Sequence, residues 1–268
     1  MVTTIICTAV VLSAVLLYLF LIFPSRKSKL SAEFTTCPIA HRGVHSENCP
    51  ENSLSAFEGA LRAGLPSEFD VRLTRDKVPV VFHDKDLKRM CGFDVNVATV
   101  TYEELRKYPL SGSGECIPTL SQVLSAVEGK VPLLIELKGE DRSDIALRVA
   151  DVIRDYKGTL AVESFNPYHL MRMRRLMPNV PLGLLSGRRI GKTPFTVLFG
   201  YVAMHMLTNF LFRPDFIAFR YTDRLPLGVR ICRKISTPII GWTCGGEAAY
   251  SENRRNFDGL ICDGLGKR

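Results

Sequence analysis

The chain has 268 residues and a formal charge of +8, from 35 Lys and Arg against 27 Asp and Glu. Its length suits one α/β domain with an appendage, and no basic run is long enough to indicate a nucleic-acid-binding tail. None of the eight cysteines forms a CxxC pair or a zinc-like cluster, so we interpret them as separate thiols in a reducing compartment.

The N-terminal segment Val2–Phe23 has no charged side chain and is long enough to cross about 30 Å of hydrocarbon as a helix. Pro24 ends it, and three basic residues follow: Arg26, Lys27 and Lys29. We predict a transmembrane anchor over residues 1–24 and a polar linker over 25–35. The positive-inside rule then predicts a single-pass protein of the cell membrane with a cytoplasmic catalytic body. A cleaved signal peptide is the alternative, but the segment is long and has no basic residue at its start.

From residue 36 onward, apolar β-rich runs alternate with helix-period segments, which predicts parallel strands joined by crossover helices. The predicted strands are Cys37–His41, Glu68–Leu73, Leu133–Leu137, Leu160–Phe165, Leu182–Leu185, Phe216–Phe219, Ile239–Trp242 and Gly259–Cys262. Eight such strands predict a (β/α)8 TIM barrel over residues 36–268. The predicted helices include Ser53–Ala63 with Asn52 as its cap and Gly64 as its stop, Ser143–Tyr156, and one from Pro167 to Leu176.

The interval between the second and third of these strands is too long for one crossover. It begins with a turn signal at Leu73–Lys77, and another strand, Val78–Phe82, follows. We therefore predict a hairpin that opens a small insertion over residues 74–118.

Another segment, Pro194–Phe212, has no Asp, Glu, Lys or Arg over 19 residues. It lies where a barrel helix belongs, so we favour a buried helix there. Docking at a membrane interface is the second interpretation. A second membrane span is disfavoured, since it would divide the barrel core.

Three carboxylates suggest a metal site. Glu68 and Asp70 are two residues apart on a strand and share one side of the sheet, and Glu136 lies near the end of the next barrel strand, where barrel enzymes place their sites. Acidic groups around one cavity repel each other unless a cation lies between them. Oxygen-only ligation favours Mg²⁺ or Ca²⁺ over zinc.

Two histidines end strands beside charged residues: His41 in the first barrel strand and His83 in the inserted strand. Such a pair can serve acid–base cleavage of a phosphodiester, with one accepting and the other donating a proton. Arg42 and Lys138 offer cations for phosphate oxygens. Three other histidines lie outside this pattern and are interpreted as surface or packing residues: His45, His169 and His205.

These residues stand in motifs that resemble the glycerophosphodiester phosphodiesterase family, here as a membrane-anchored, bacterial-type member. The resemblance runs in order from about residue 37 to 263. Its motifs are His41-Arg42-Gly43, Pro50-Glu51-Asn52-Ser53, Glu68-Phe69-Asp70-Val71-Arg72-Leu73-Thr74-Arg75-Asp76, Val80-Val81-Phe82-His83-Asp84, Ile117-Pro118-Thr119-Leu120, Glu136-Leu137-Lys138, Glu163-Ser164-Phe165, Trp242-Thr243 and Asp258-Gly259-Leu260.

The resemblance implies a barrel with an insertion after its second strand. It implies that Glu68, Asp70 and Glu136 hold the divalent metal, that His41 and His83 are the catalytic pair, and that two cations bind the substrate phosphate: Arg42 and Lys138. The implied reaction is hydrolysis of a glycerophosphodiester to an alcohol and sn-glycerol 3-phosphate. The alternatives are lysophospholipase D-type hydrolysis of membrane lysophospholipids and a non-catalytic membrane phosphate-binding protein.

Overall fold

The computed structural model describes residues 1–25, 30–110, 113–139, 144–187 and 194–265. Within them, eight parallel strands close into a barrel, because the first strand pairs with both the second and the last. In chain order the barrel and inserted strands are β1 (Ile39–His41), β2 (Ser67–Leu73), β3 (Pro79–Val81), β4 (Leu133–Leu137), β5 (Leu160–Ser164), β6 (Leu182–Ser186), β7 (Phe216–Arg220), β8 (Ile239–Gly245) and β9 (Gly259–Asp263). The predicted TIM barrel is confirmed.

All eight predicted barrel strands are present, with small differences in their ends. The largest difference is in β8, which continues past Trp242 to Gly245. Most side chains on both faces of these strands are apolar, as expected for a parallel sheet covered by helices. The five residues of β4 are all buried, for example.

The inserted strand β3 pairs antiparallel with β2, so the chain does fold back after the second barrel strand. The segment that follows has a small core of its own. Its buried members are Val80, Phe82, Leu87, Cys91, Val97, Leu105, Leu110 and Ile117. This core holds the end of the hairpin, and therefore His83, against the barrel.

The described helices are α1 (Val2–Ile22), α2 (Glu33–Thr36), α3 (Leu54–Ala63), α4 (Lys88–Cys91), α5 (Tyr102–Leu105), α6 (Leu120–Val127), α7 (Ile145–Ile153), α8 (Pro167–Leu176), α9 (Pro194–Met204), α10 (Leu227–Lys234) and α11 (Gly246–Asn253). The predicted cap of α3 was wrong by one residue. Ser53 is the cap, and its side chain accepts a hydrogen bond from the amide of Ala56. Gly64 ends α3 in the left-handed conformation, as predicted. The first predicted residue of the Ser143–Tyr156 helix lies outside the described residues.

Helix α1 is the one described helix that is long and apolar enough to cross a membrane, a test that a signal sequence also passes. Its C-terminal end is fixed to the barrel. Arg213 donates hydrogen bonds to the carbonyls of Phe20 and Phe23, at 2.7 and 2.8 Å, and its guanidinium lies 4.7 Å from the centroid of the Phe20 ring. Asn209 donates to the carbonyl of Ile22, which is itself buried.

Two described residues of the predicted linker contact the barrel. The amide of Ser25 donates to the carbonyl of Pro214, and Phe34 in α2 is completely buried in the barrel core. The basic residues of this stretch, Arg26, Lys27 and Lys29, lie outside the described residues.

The apolar segment Pro194–Phe212 is not the buried helix that we favoured. Its first part forms α9, in which three described side chains are half or more exposed: Val197 at 51%, Leu198 at 62% and Tyr201 at 57%. The part beyond α9 enters the core, where Met206 and Asn209 are fully buried. A 3-10 turn, Asn209–Leu211, then leads into β7.

Candidate active site

Three buried carboxylates meet at the mouth of the barrel, at the C-terminal ends of neighbouring strands. Asp70 of β2 lies directly beside Glu136 of β4 in the strand register. Glu68 lies two residues earlier on β2, on the same face of the sheet. One oxygen from each side chain can be chosen so that all three lie within 4.8 Å of one another. Each residue is less than a tenth exposed. This set of oxygens fits a hard divalent cation such as Mg²⁺ or Ca²⁺.

Two cations lie against these carboxylates. The Nζ atom of Lys138 is 2.8 Å from Glu136 Oε2 and 3.0 Å from Asp70 Oδ1. The Nε atom of Arg42 is 3.3 Å from Asp70 Oδ2, and its Nη1 donates to Glu51 at 2.7 Å. Both predicted phosphate-binding residues therefore contact predicted metal ligands directly.

Burial and neighbouring charges shift the pKa values of the three carboxylates in different directions. Burial, with the charges of Asp70 and Glu136, raises the pKa of Glu68 well above its usual range. Burial raises the pKa of Glu136 to about 7, although Lys138 acts in the opposite direction. For Asp70 burial is outweighed by Lys138 and Arg42, which hold its pKa well below its usual range. A bound divalent cation would favour the charged form of all three carboxylates.

A fourth carboxylate, Glu163 of β5, lies next to Glu136 in the strand register. It is 1% exposed, and its Oε2 atom has no hydrogen-bond partner among the described residues. Burial and the charge of Glu136 raise its pKa well above the usual range. An unpartnered acidic oxygen here is a second observation in favour of a cation or a retained proton at this point.

The first predicted catalytic residue, His41, ends β1 beside the metal-ligand candidates. Its Nε2 atom lies 3.8 Å from Glu68 Oε2, and its Nδ1 atom lies 2.6 Å from Asp263 Oδ1 at the end of β9. His45, which we had interpreted as a surface or packing residue, also belongs to this part of the site, with its Nε2 atom 3.6 Å from the same Asp263 oxygen.

The second predicted catalytic residue, His83, follows β3 and has its own carboxylate partner. Its Nδ1 atom lies 2.6 Å from Asp84 Oδ1. Burial, together with the charges of Lys138 and Arg42, lowers the pKa of His83. The imidazole is therefore neutral near pH 7 and able to accept a proton.

Arg89 of α4 joins the insertion to the barrel loop. It donates to Asp84 at 2.6 Å and to both carboxylate oxygens of Glu51, at 2.6 and 3.0 Å. Glu51 in turn accepts the hydrogen bond from Arg42. One chain of charged groups thus connects the partner of His83 to the predicted phosphate-binding arginine.

The loop after β1 has an unusual backbone that aims these side chains. Arg42 and Asn52 have φ values of 59°, in the left-handed region, and the amide of Asn52 donates to the carbonyl of Arg42. The side chain of Asn52 donates to Asp70 Oδ2 at 3.1 Å. Gly43 is required because a Cβ atom there would lie 2.8 Å from the backbone of Ala56.

The structure thus gathers the seven predicted site residues around one barrel mouth. The sequence reasoning missed Asp263, Asp84 and Arg89 as partners of the site. Two of them carried a readable signal: Asp263 is the residue after the last predicted strand, and Asp84 directly follows His83. The remaining predicted surface or packing histidines lie elsewhere, with His169 fully buried and His205 stacked on Tyr201.

Comparison with known proteins places the chain in a family. The family model described as the glycerophosphoryl diester phosphodiesterase family matches residues 41–265. The chain is 29% identical over 236 residues to YhdW of Bacillus subtilis, which is named among the glycerophosphodiester phosphodiesterases, and the match covers 84% of this chain and 93% of that one. It is 33% identical over 137 residues to lysophospholipase D GDPD1 of Rattus norvegicus, covering 46% of this chain and 43% of the relative.

Among solved structures, the fold is similar to an Oleispira antarctica phosphodiesterase in complex with the product sn-glycerol 3-phosphate. The TM-score is 0.70 at 21% identity, over 86% of this chain and 94% of that one, which shows a shared fold. The family match covers most of the chain and includes every residue of the predicted site. The chain therefore belongs to the glycerophosphoryl diester phosphodiesterase family and is a phosphoric diester hydrolase.

Proposed function

We propose that the barrel mouth hydrolyses glycerophosphodiesters by acid–base catalysis between His41 and His83, with one divalent cation held by Glu68, Asp70 and Glu136. The observation that carries this proposal is the grouping of the three carboxylate oxygens within 4.8 Å, with a carboxylate-paired histidine on either side. When bound, the cation would stabilise charge on the phosphoryl oxygens and acidify the nucleophile.

The two histidines divide the proton transfers. Asp263 and Asp84 occupy the Nδ1 atoms of His41 and His83, which leaves each Nε2 atom for transfer to substrate. One imidazole takes a proton from the attacking water as the water oxygen bonds to phosphorus. The other gives a proton to the oxygen of the leaving alcohol as the bond between that oxygen and phosphorus breaks. The lowered pKa of His83 favours it as the acceptor.

Arg42 and Lys138 would bind the remaining phosphoryl oxygens. Both cations already lie within about 3 Å of the metal-ligand candidates, so a phosphate bridging to the metal falls within their reach. With sn-glycerol 3-phosphate as one product, in agreement with the complex of the Oleispira antarctica structure, the other product is the free alcohol.

The test compares single substitutions in the purified full-length protein. We expect His41→Ala and Glu136→Ala to lose hydrolysis of glycerophosphocholine, and only Glu136→Ala to lose binding of Mg²⁺ or Ca²⁺ as well. The matched control is His205→Ala, which removes a histidine that stacks on Tyr201 and contacts none of the site carboxylates. Full activity in either test variant would overturn the assignment. Titration of the metal-free protein with each ion separates Mg²⁺ from Ca²⁺.

A second candidate substrate is a lysophospholipid in a membrane. The exposed apolar side chains of α9 and the span-length helix α1 favour it, as does the similarity to lysophospholipase D GDPD1. Turnover of lysophosphatidylcholine in vesicles should then exceed that of soluble glycerophosphocholine. Equal or lower turnover of the lysolipid would leave the soluble diester as the substrate.

The location that we propose is the cell membrane, with α1 as a single span and the barrel on the cytoplasmic side. Support comes from the length and apolar composition of α1 and from the basic residues that follow it in the sequence. The N-terminal sequence of the membrane-bound protein distinguishes a retained anchor from a cleaved signal peptide. Protection of the barrel from external protease in intact cells tests its side of the membrane.

A further inference from the structure

Helix α1 packs against α10 on the outside of the barrel, and its contacts run from the active-site end toward the opposite end. Tyr18 lies beside Gly228 at the start of α10, which follows β7 and is therefore near the mouth. A Cβ atom added to Gly228 would lie 3.3 Å from the Tyr18 hydroxyl. One turn later the carbonyl of Ile22 accepts a hydrogen bond from Cys232, farther along α10. The amide of Ser25 then reaches Pro214, just before β7 begins at the opposite end of the barrel.

The direction of α1 along the barrel wall fixes where its free part lies. Because the helix runs from the mouth end toward the opposite end, the exposed segment before Tyr18 extends beyond the mouth. Every residue from Val2 to Leu17 is exposed in the structure. If this segment spans a bilayer, the bilayer lies over the face of the barrel that carries the active site.

The mouth end also has exposed apolar side chains. Helix α9 follows β6, and Ser186 at the end of β6 contacts the carbonyl of Ala203 in α9, so the helix lies near the mouth. Val197, Leu198 and Tyr201 of this helix are half or more exposed. Leu227, the first residue of α10, is 58% exposed at the same end. Phe210 packs on Phe20 at 6.3 Å and extends the apolar surface along the flank of α1.

A cation and an aromatic hydroxyl accompany these apolar groups. Arg224, in the loop between β7 and α10, is exposed and makes no ion pair with any residue in the described ranges. Tyr201 in α9 is 57% exposed. Apolar side chains mixed with Tyr and Arg are typical of a surface at the headgroup level of a membrane.

We propose that the barrel docks on the bilayer through its mouth, with α9 and Leu227 in the headgroup region, so that the active site opens toward the lipids. The partner is the bilayer surface from which α1 emerges, and the continuity of the exposed apolar residues with α1 is the reason for that choice. This inference rests on the proposed membrane span of α1 and not on the catalytic roles of the site residues. A substrate with one acyl chain would then reach the metal site without leaving the membrane.

The test measures the depth of single positions in the full-length protein reconstituted in vesicles. The exposed or partly exposed thiols are first replaced by Ser: Cys7, Cys37, Cys49 and Cys116. Fluorophores are attached to Leu198→Cys, Leu227→Cys and, as the control, Lys130→Cys. Lys130 is exposed in the loop before β4, at the opposite end of the barrel. The vesicles carry a nitroxide at the headgroup or at a shallow acyl position.

We expect quenching at Leu198 and Leu227 to be at least about threefold stronger than at Lys130. The docking surface would be overturned if the label at Lys130 were quenched as strongly as the labels at Leu198 and Leu227. It would also be overturned if the label at one or both test positions were not quenched. Loss of the protein from sedimented vesicles would overturn it too. Circular dichroism of each labelled protein checks folding, and the two test positions lie on different helices. Hydrolysis of soluble glycerophosphocholine by the same samples reports the proposed chemistry separately.

Discussion

The Nδ1 atom of His41 lies 2.6 Å from the Oδ1 atom of Asp263, so the first strand of the barrel and the last one share a hydrogen bond in the active site. Burial acts against ionisation of Asp263, but the hydrogen bond with His41 and the nearby imidazole of His45 hold its pKa well below the usual range. The carboxylate is thus charged throughout the neutral pH range, and it fixes the orientation of the His41 ring.

Asp263→Asn should therefore lower kcat by about 100-fold, the lower end of what a positioned acid or base contributes, with little change in KM. The amide keeps the size of the side chain but can present its NH₂ group to the ring and favour the wrong tautomer. Steady-state kinetics with glycerophosphocholine measures the split between kcat and KM. A fall in kcat that merely follows a fall in the melting temperature would point to a structural role instead.

Arg89→Ala should separate the insertion from the barrel loop. The substitution removes the hydrogen bonds to Asp84 and Glu51, and the partner of His83 loses its support. We expect kcat/KM to fall about 10- to 100-fold, as for other groups that orient catalytic side chains. Arg106→Ala is the matched control, since Arg106 lies in the same insertion and pairs with the exposed Glu103. Equal losses in both variants would contradict the role of Arg89.

Metal binding should release protons near neutral pH. In the metal-free protein burial raises the pKa of Glu136 to about 7, and the pKa of Glu68 is also raised, while a metal ligand must be deprotonated. The affinity for Mg²⁺ or Ca²⁺ should thus weaken as the pH falls below about 7. Calorimetric titration in two buffers with different ionisation enthalpies measures the released protons. Binding without proton release between pH 6 and 7 would contradict the raised pKa.

Arg213→Ala should loosen the contact between α1 and the barrel. The variant loses two hydrogen bonds to helix carbonyls and the contact with the Phe20 ring, which together are worth about 2–4 kcal/mol. Thermal unfolding in detergent should show a lower melting temperature for Arg213→Ala. The control is Arg230→Ala, an exposed arginine of α10 with no ion pair to the described residues. Unchanged melting of Arg213→Ala would show that the docking contributes nothing to stability.

The sequence predicted those site residues whose positions follow from the two-residue repeat of a β-strand. Glu68 and Asp70 share a face because they are two apart on β2, and Glu136 ends the strand beside them. Asp263 was missed because the predicted strand stopped one residue earlier. Its pairing with His41 depends on closure of the barrel between strands more than 200 residues apart. Local periodicity contains no information on which strand ends meet at such a seam.

The barrel could also be predicted from local sequence patterns. The features that were missed depend on contacts between distant parts of the chain. Eight apolar runs are enough to predict a barrel, whereas the exposure of α9 depends on what packs over it. The sequence of Pro194–Phe212 is apolar in either case, so composition alone cannot distinguish a covered helix from an uncovered one. The contact of Arg213 with Phe20 likewise joins residues that are far apart in the chain.

Because the end of α1 packs against the barrel, removal of this helix affects how the protein can be produced. Where a barrel enzyme is tethered by a flexible stalk, cutting the stalk yields a soluble catalytic fragment. Here the last turn of the apolar helix is part of the wall, and removing it would uncover Cys232 and leave the buried amide of Asn209 without its acceptor. We expect a protein that begins after Pro24 to aggregate, whereas the whole chain in detergent keeps its fold.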